Sequence, residues 1–186
     1  MSTSLAGQLH AQERISDKDV WRQDDSRSSP SGGELAEKTP HPRTWKYHFP
    51  DGAIGIRLRT DPPGWLKPTF ERLGRLLEMP ANWDSYGAVP IDPYRVLAAL
   101  NLLVLLMRDD TPAPAVVPTS RGGTQLEWHT RGIDLEIEAL SGHRLVVFFE
   151  DSSSGEEWEG QVSMFDLGRV ADYISRLSWS ARAEGP

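Results

Sequence analysis

Cysteine is absent from the 186-residue chain, which excludes disulfide scaffolds, thiol catalysis and thiolate metal sites. Basic residues are in deficit: 20 Lys and Arg stand against 27 Asp and Glu, for a formal net charge of −7. Contact with a nucleic-acid backbone needs clustered Lys and Arg, so no nucleic-acid partner is expected. Long apolar runs are also lacking. The longest, 96–107, has twelve residues and contains Asn101, whereas a bilayer-spanning helix needs about twenty. The first twenty residues hold Glu13, Arg14, Asp17, Lys18 and Asp19 and no apolar h-region. Neither a secretory leader nor a membrane anchor is expected, and the chain reads as cytoplasmic. No G-x-S-x-G elbow, phosphate-binding glycine loop or dinucleotide fingerprint occurs. No catalytic residue and no cofactor is expected.

What is present begins unevenly. Residues 1–43 contain ten members of the apolar set, and 24–33 is almost wholly Asp, Ser, Gly and Arg. Such a stretch cannot offset the entropy of ordering it, so 1–43 is expected to be a disordered arm. Its small apolar island at Val20-Trp21 gives the alternative of an arm that folds on a partner. From 44 to 180 the pattern is that of a single domain, with 181–186 as a tail. Trp45, Tyr47 and Phe49 alternate, Pro50-Asp51-Gly52 turns the chain, and Ile54, Ile56 and Leu58 alternate again, which predicts a β-hairpin.

Helical spacing of Leu66, Phe70, Leu73 and Leu77 predicts a helix over 65–78. Asp92 as N-cap and Pro93 at the first helical position open a second, over 93–108. Its body is apolar nearly all round, so it is expected to be central and covered on most sides. Leu167, Val170, Ile174 and Leu177 predict a third over 166–178, with Trp179 closing onto the core. Between the last two helices lie candidate strands at 115–118, 124–129, 133–140, 144–150 and 157–163. Their links are short and rich in Gly and Ser, which implies an antiparallel meander rather than crossovers. The expected fold is α+β: an antiparallel β-meander packed against about three helices, with a disordered N-terminal arm.

The charge imbalance lies in the meander. Residues 125–160 hold nine acids and two bases, and the rest of the chain balances at 18 of each. In 133–139 Ile133, Leu135 and Ile137 alternate with Asp134, Glu136 and Glu138, and Glu127 and His129 alternate with Leu126 and Trp128. If Arg131-Gly132 is a two-residue turn, facing residues have numbers summing to 263, so His129 faces Asp134 and Glu127 faces Glu136. Directly opposed carboxylates repel, and neutralising Glu136 and Glu138 together is expected to keep or slightly raise stability.

Three readings of this acidic face follow. The carboxylates solvate an open sheet face and discourage aggregation; they form a docking face for a basic protein partner; or Glu127, His129, Asp134 and Glu136 hold a divalent metal. No recognised ligand spacing supports the metal, and the plainer role for His129 is a surface pair with Asp134.

Asn82-Trp83-Asp84-Ser85-Tyr86-Gly87-Ala88, between the first two helices, is dense in hydrogen-bonding and aromatic side chains. It reads as a rigid packed corner, or as a recognition loop using Trp83, Asp84 and Tyr86. This motif is followed by Pro90-Ile91, Val117-Pro118-Thr119, Gly122 through Trp128, and Asp134 through Glu138. Together they resemble a group of small uncharacterised bacterial proteins, over about residues 65–140. The resemblance implies a bacterial origin and a coherent domain, and carries no catalytic role.

The function expected is a non-catalytic interaction protein, antitoxin-like or immunity-like, whose binding residues are Trp83, Asp84, Tyr86, Glu127, His129, Asp134, Glu136 and Glu138. The alternative is a metal-dependent hydrolase or nuclease using the outward acids and His129.

Overall fold

A computed structural model describes residues 61–178, together with the strands β1 (Arg22–Gln23), β2 (Arg43–Phe49) and β3 (Gly52–Leu58). The remainder of the expected arm, the Pro50-Asp51 turn residues, Trp179 and the tail 181–186 lie outside the described residues. The expected hairpin is there: β2 and β3 pair antiparallel from Phe49↔Gly52 to Arg43↔Leu58. Inside the segment expected as an arm, β1 adds to the other side of β2.

The helices are α1 (Leu66–Leu77), α2 (Pro93–Leu106) and α3 (Gly168–Leu177). The second sheet is a meander of β4 (Ala115–Pro118), β5 (Thr124–Thr130), β6 (Ile133–Ala139), β7 (Arg144–Asp151) and β8 (Glu156–Ser163), in sequence order and antiparallel throughout. This is an α+β fold with the helices gathered on one face of the five-stranded sheet.

That face is the apolar one. Leu126 and Trp128 of β5, Leu135 and Ile137 of β6, and Val147 and Phe149 of β7 are buried against Leu100 and Leu103 of α2 and Val170 and Ile174 of α3. Phe149 and Tyr173 stack with ring centroids 3.8 Å apart. Two buried tryptophans keep their polar ends bonded, as burial of an indole N–H requires. Trp65 donates to the Arg108 carbonyl (3.0 Å), and Trp128 to that of Pro112 (2.8 Å).

Asp92 caps α2 as expected, its carboxylate accepting from Tyr94 N–H at 2.9 Å, with Pro93 at the first helical position. The far end differs. The helix stops at Leu106 because Met107 is extended and Arg108 N–H donates to the Thr111 hydroxyl at 2.9 Å, and this local bond replaces a further helical turn. One flank of α2 is left open, that of Tyr94 and Leu105, which are 81% and 69% exposed. Uniform apolarity does not tell which flank packs, because only the partners in the sheet decide it.

Arg131 and Gly132 both have positive φ, 56° and 76°, as a two-residue turn between twisted strands demands. The pairing that follows is the expected one: His129↔Asp134, Glu127↔Glu136 and Gln125↔Glu138.

Candidate docking face

The other side of the meander is covered by none of the three helices. Three rows run across it from β5 to β8, fixed by the strand registers. One is His129, Asp134, Glu150 and Glu157; the next is Glu127, Glu136, Phe148 and Glu159; the third is Gln125, Glu138, Val146 and Gln161. The first two rows therefore bring six carboxylates together around one half-buried phenylalanine.

Local chemistry tempers the repulsion where carboxylates stand closest. Glu127 and Glu136 face each other, and the Gln125 side-chain amide donates to both, to Glu127 Oε1 at 3.0 Å and Glu136 Oε2 at 2.8 Å. His129 lies between two acids. Its Nδ1 is 2.9 Å from Asp134 Oδ1 and its Nε2 is 3.5 Å from Glu127 Oε2. The hydrogen bond to Asp134 is the main cause that raises the His129 pKa above its ordinary value; desolvation opposes it, and Glu127 adds to it. By contrast, no Lys or Arg among the described residues pairs with Glu136, Glu150, Glu157 or Glu159.

Glu138 corrects the expectation of a uniformly open face. It is on the same side as Glu136 but only 7% exposed, because the turn between β4 and β5 folds over it. The Thr119 hydroxyl donates to its Oε1 at 3.0 Å and the Arg121 guanidinium to its Oε2 at 3.1 Å. Arg95 of α2 in turn donates to the Arg121 carbonyl at 3.0 Å. A side chain at Gly123 would place its Cβ 2.7 Å from Glu138 Oε1, so glycine is what lets the turn close this tightly. Glu138 fastens the turn to the sheet.

The loop ahead of α2 is a corner built from its own side chains. Asp84 Oδ1 accepts from Tyr86 N–H (2.8 Å) and Ala88 N–H (3.0 Å), and Asn82 Oδ1 accepts from Gly87 N–H (2.7 Å). Those two backbone donors hold the Asp84 carboxyl below the usual carboxylate range. Asn82, Ser85 and Gly87 take positive φ to make the bends. Trp83 is half-buried, whereas Tyr86 is 93% exposed.

The corner is stitched to the β4–β5 turn by Val89 N–H to the Ser120 carbonyl and Asp92 N–H to the Gly122 carbonyl, both 3.0 Å. The segments named above for their resemblance thus meet in space: corner, turn and Glu138 form one connected structure. None of Trp83, Asp84 or Tyr86 hydrogen-bonds to Glu127, His129, Asp134 or Glu136, so the corner and the acidic rows remain two features.

Phe148 and Glu150 belong to the face but escape sequence reasoning. Their strand, β7, is apolar on both sides in its middle, with Val146 and Phe148 outward and Leu145, Val147 and Phe149 inward. Alternation is therefore invisible there, and only the register with β6 orients it. Among the described residues no group of three or more His, Asp or Glu side chains is arranged to hold a metal ion, and no helix is long and apolar enough to cross a membrane. Comparison of the chain with protein-family models, curated proteins and solved structures finds no match in any of the three.

Proposed function

We propose that the chain is a non-catalytic, cytoplasmic interaction protein of bacterial origin, antitoxin-like or immunity-like, that docks a basic protein partner on the outer face of its meander. One observation carries this reading: carboxylates from four strands stand in register on a sheet face that none of the three described helices covers, and Glu150, Glu157 and Glu159 at its β8 side have no basic partner among the described residues. Such an array attracts a cationic surface from a distance and loses its self-repulsion on contact. Phe148 in the middle supplies an apolar contact of the kind that anchors interface cores. The motif resemblance adds the bacterial origin to the proposal.

The metal-dependent hydrolase reading has less behind it. His129 already has a carboxylate at each ring nitrogen, Gln125 occupies one oxygen of each facing glutamate, and no ligand cluster converges. The test is partner capture from a bacterial lysate by the untagged protein at low and high salt, repeated with Glu150→Gln, Glu157→Gln and Glu159→Gln combined. A basic protein retained at low salt, released at high salt and lost with the variant supports the reading. Partners held equally by wild type and variant count against it. A rise in melting temperature with millimolar Mg, Mn or Zn would favour the hydrolase instead.

A further inference from the structure

The two edges of the meander are built differently. β4 is four residues long, ends in Pro118 and lies beside α1, whose Arg72 donates to the Pro114 carbonyl at 3.2 Å. β8 is eight residues long, and among the described residues no strand pairs with its outer side.

The free backbone groups of that edge can be assigned. Leu140 N–H donates to the Arg144 carbonyl at 2.9 Å, and Met164 N–H to the His143 carbonyl at 2.8 Å. Antiparallel ladders alternate bonded and non-bonded pairs. Even-numbered β7 residues therefore bond to β6, odd-numbered ones bond to β8, and even-numbered β8 residues answer them. Glu157, Glu159 and Gln161 are left with N–H and C=O pointing off the edge. The side chains of these same residues lie on the outer face and continue its rows. Trp158 and Val162 alternate with them on the inner face and are half-buried at the rim of the core. The Trp158 ring lies over Gly160, where a Cβ would come within 2.7 Å of it, and Arg169 sits 4.7 Å above the ring.

We propose that β8 is a strand-addition site for an extended segment of a basic protein, with cationic residues at alternate positions and apolar ones between. The proposal rests on the docking reading above and names the shape of the partner. Main-chain hydrogen bonds to Glu157, Glu159 and Gln161 supply affinity, and side chains at alternate positions supply selection. Residues opposite Glu157 and Glu159 fall on the acidic face, where a cation pairs with them. Residues between fall beside Trp158 and Val162, where Arg169 is already the cation and an apolar side chain extends the core. The same charges reject a second copy of this chain, because two β8 edges brought together would set Glu157 and Glu159 beside their equivalents.

The experiment uses the full chain and a fluorescent peptide of alternating lysine and valine as long as β8. Binding that weakens with salt is expected, together with slowed amide exchange at Glu157, Glu159 and Gln161. Gln161→Pro removes one edge N–H without touching the β7 ladder, and is expected to weaken binding about tenfold. Glu157→Gln with Glu159→Gln is expected to weaken it mostly at low salt.

Equal binding by two peptides, one methylated at the lysine amides and one at the valine amides, or unchanged exchange at the three amides while the peptide is bound, would overturn strand addition and leave the docking face standing. Failure of every lysine peptide to bind, with the charge variant capturing the same proteins as wild type, would overturn both. The exchange measurement needs no substitution, so it decides the matter even if Gln161→Pro unfolds.

Discussion

Glu136 and Glu138 are two residues apart on the same face of the same strand, and they do opposite things. Glu136 faces Glu127 on an open surface, with one oxygen held by the Gln125 amide. Glu138 is enclosed by a turn, with a hydroxyl on one oxygen and a guanidinium on the other. The difference lies in what the β4–β5 turn reaches. It encloses Glu138 in the third row and stops short of the second. One carboxylate is thereby a fastening inside the fold, and the other is surface charge at a cost in self-repulsion. Alternation assigns a residue to a face; it does not say whether that face is open at that point.

Substitutions separate the two roles. The largest effect is expected on the side opposite both glutamates. Leu103→Ala and Leu135→Ala, at fully buried positions, should each cost about 2–5 kcal/mol, measured by denaturant unfolding. A loss below about 1 kcal/mol at both would mean the apolar face is not the core. Glu138→Ala comes next, at about 1–3 kcal/mol, because it removes charge-assisted bonds from Thr119 and Arg121. Glu136→Gln should shift stability by less than about 0.5 kcal/mol, toward greater stability, since it relieves opposed charges without opening a cavity. The double substitution should therefore destabilise, reversing what alternation alone implies. A double variant as stable as wild type would show that the enclosure of Glu138 contributes nothing.

The smallest effect concerns His129. Its folded pKa is raised, chiefly by Asp134, so its contribution is full below the unfolded pKa and is lost as pH rises through the folded one. The window therefore opens above about pH 6.5. Wild type should lose melting temperature relative to His129→Gln as pH rises above about 6.5, slightly, because the group is half-exposed and screened. Parallel profiles for the two proteins would mean that His129 does not bridge its neighbours in solution.

Much of the fold was legible because its signals are local. Asp92-Pro93 announces a helix start whatever surrounds it, and Arg131-Gly132 sets the β5–β6 register once it is read as a two-residue turn. The pairs His129–Asp134 and Glu127–Glu136 follow from that single turn. Other features were not legible for equally physical reasons. The clamp by Gln125 spans two strands, and the end of α2 at Leu106 depends on the Thr111 hydroxyl five residues on. The outward placing of Phe148 is hidden by the apolarity of both faces of β7.

By itself the sequence determined the element order from β2 onward, the antiparallel meander, the apolar and acidic faces of β6, and the location of the excess charge. Each of these depends on the period of the chain and on turn chemistry, which act over a few residues. The tertiary structure alone decided which flank of α2 packs, which acids remain open, and that the corner at 82–88, the turn at 119–123 and Glu138 are one connected structure. Among the described residues it also left β8 as a long edge with Glu157, Glu159 and Gln161 facing outward. These depend on which distant segments come to rest beside one another, and that is set by the summed packing of the core, to which no short stretch of sequence gives access.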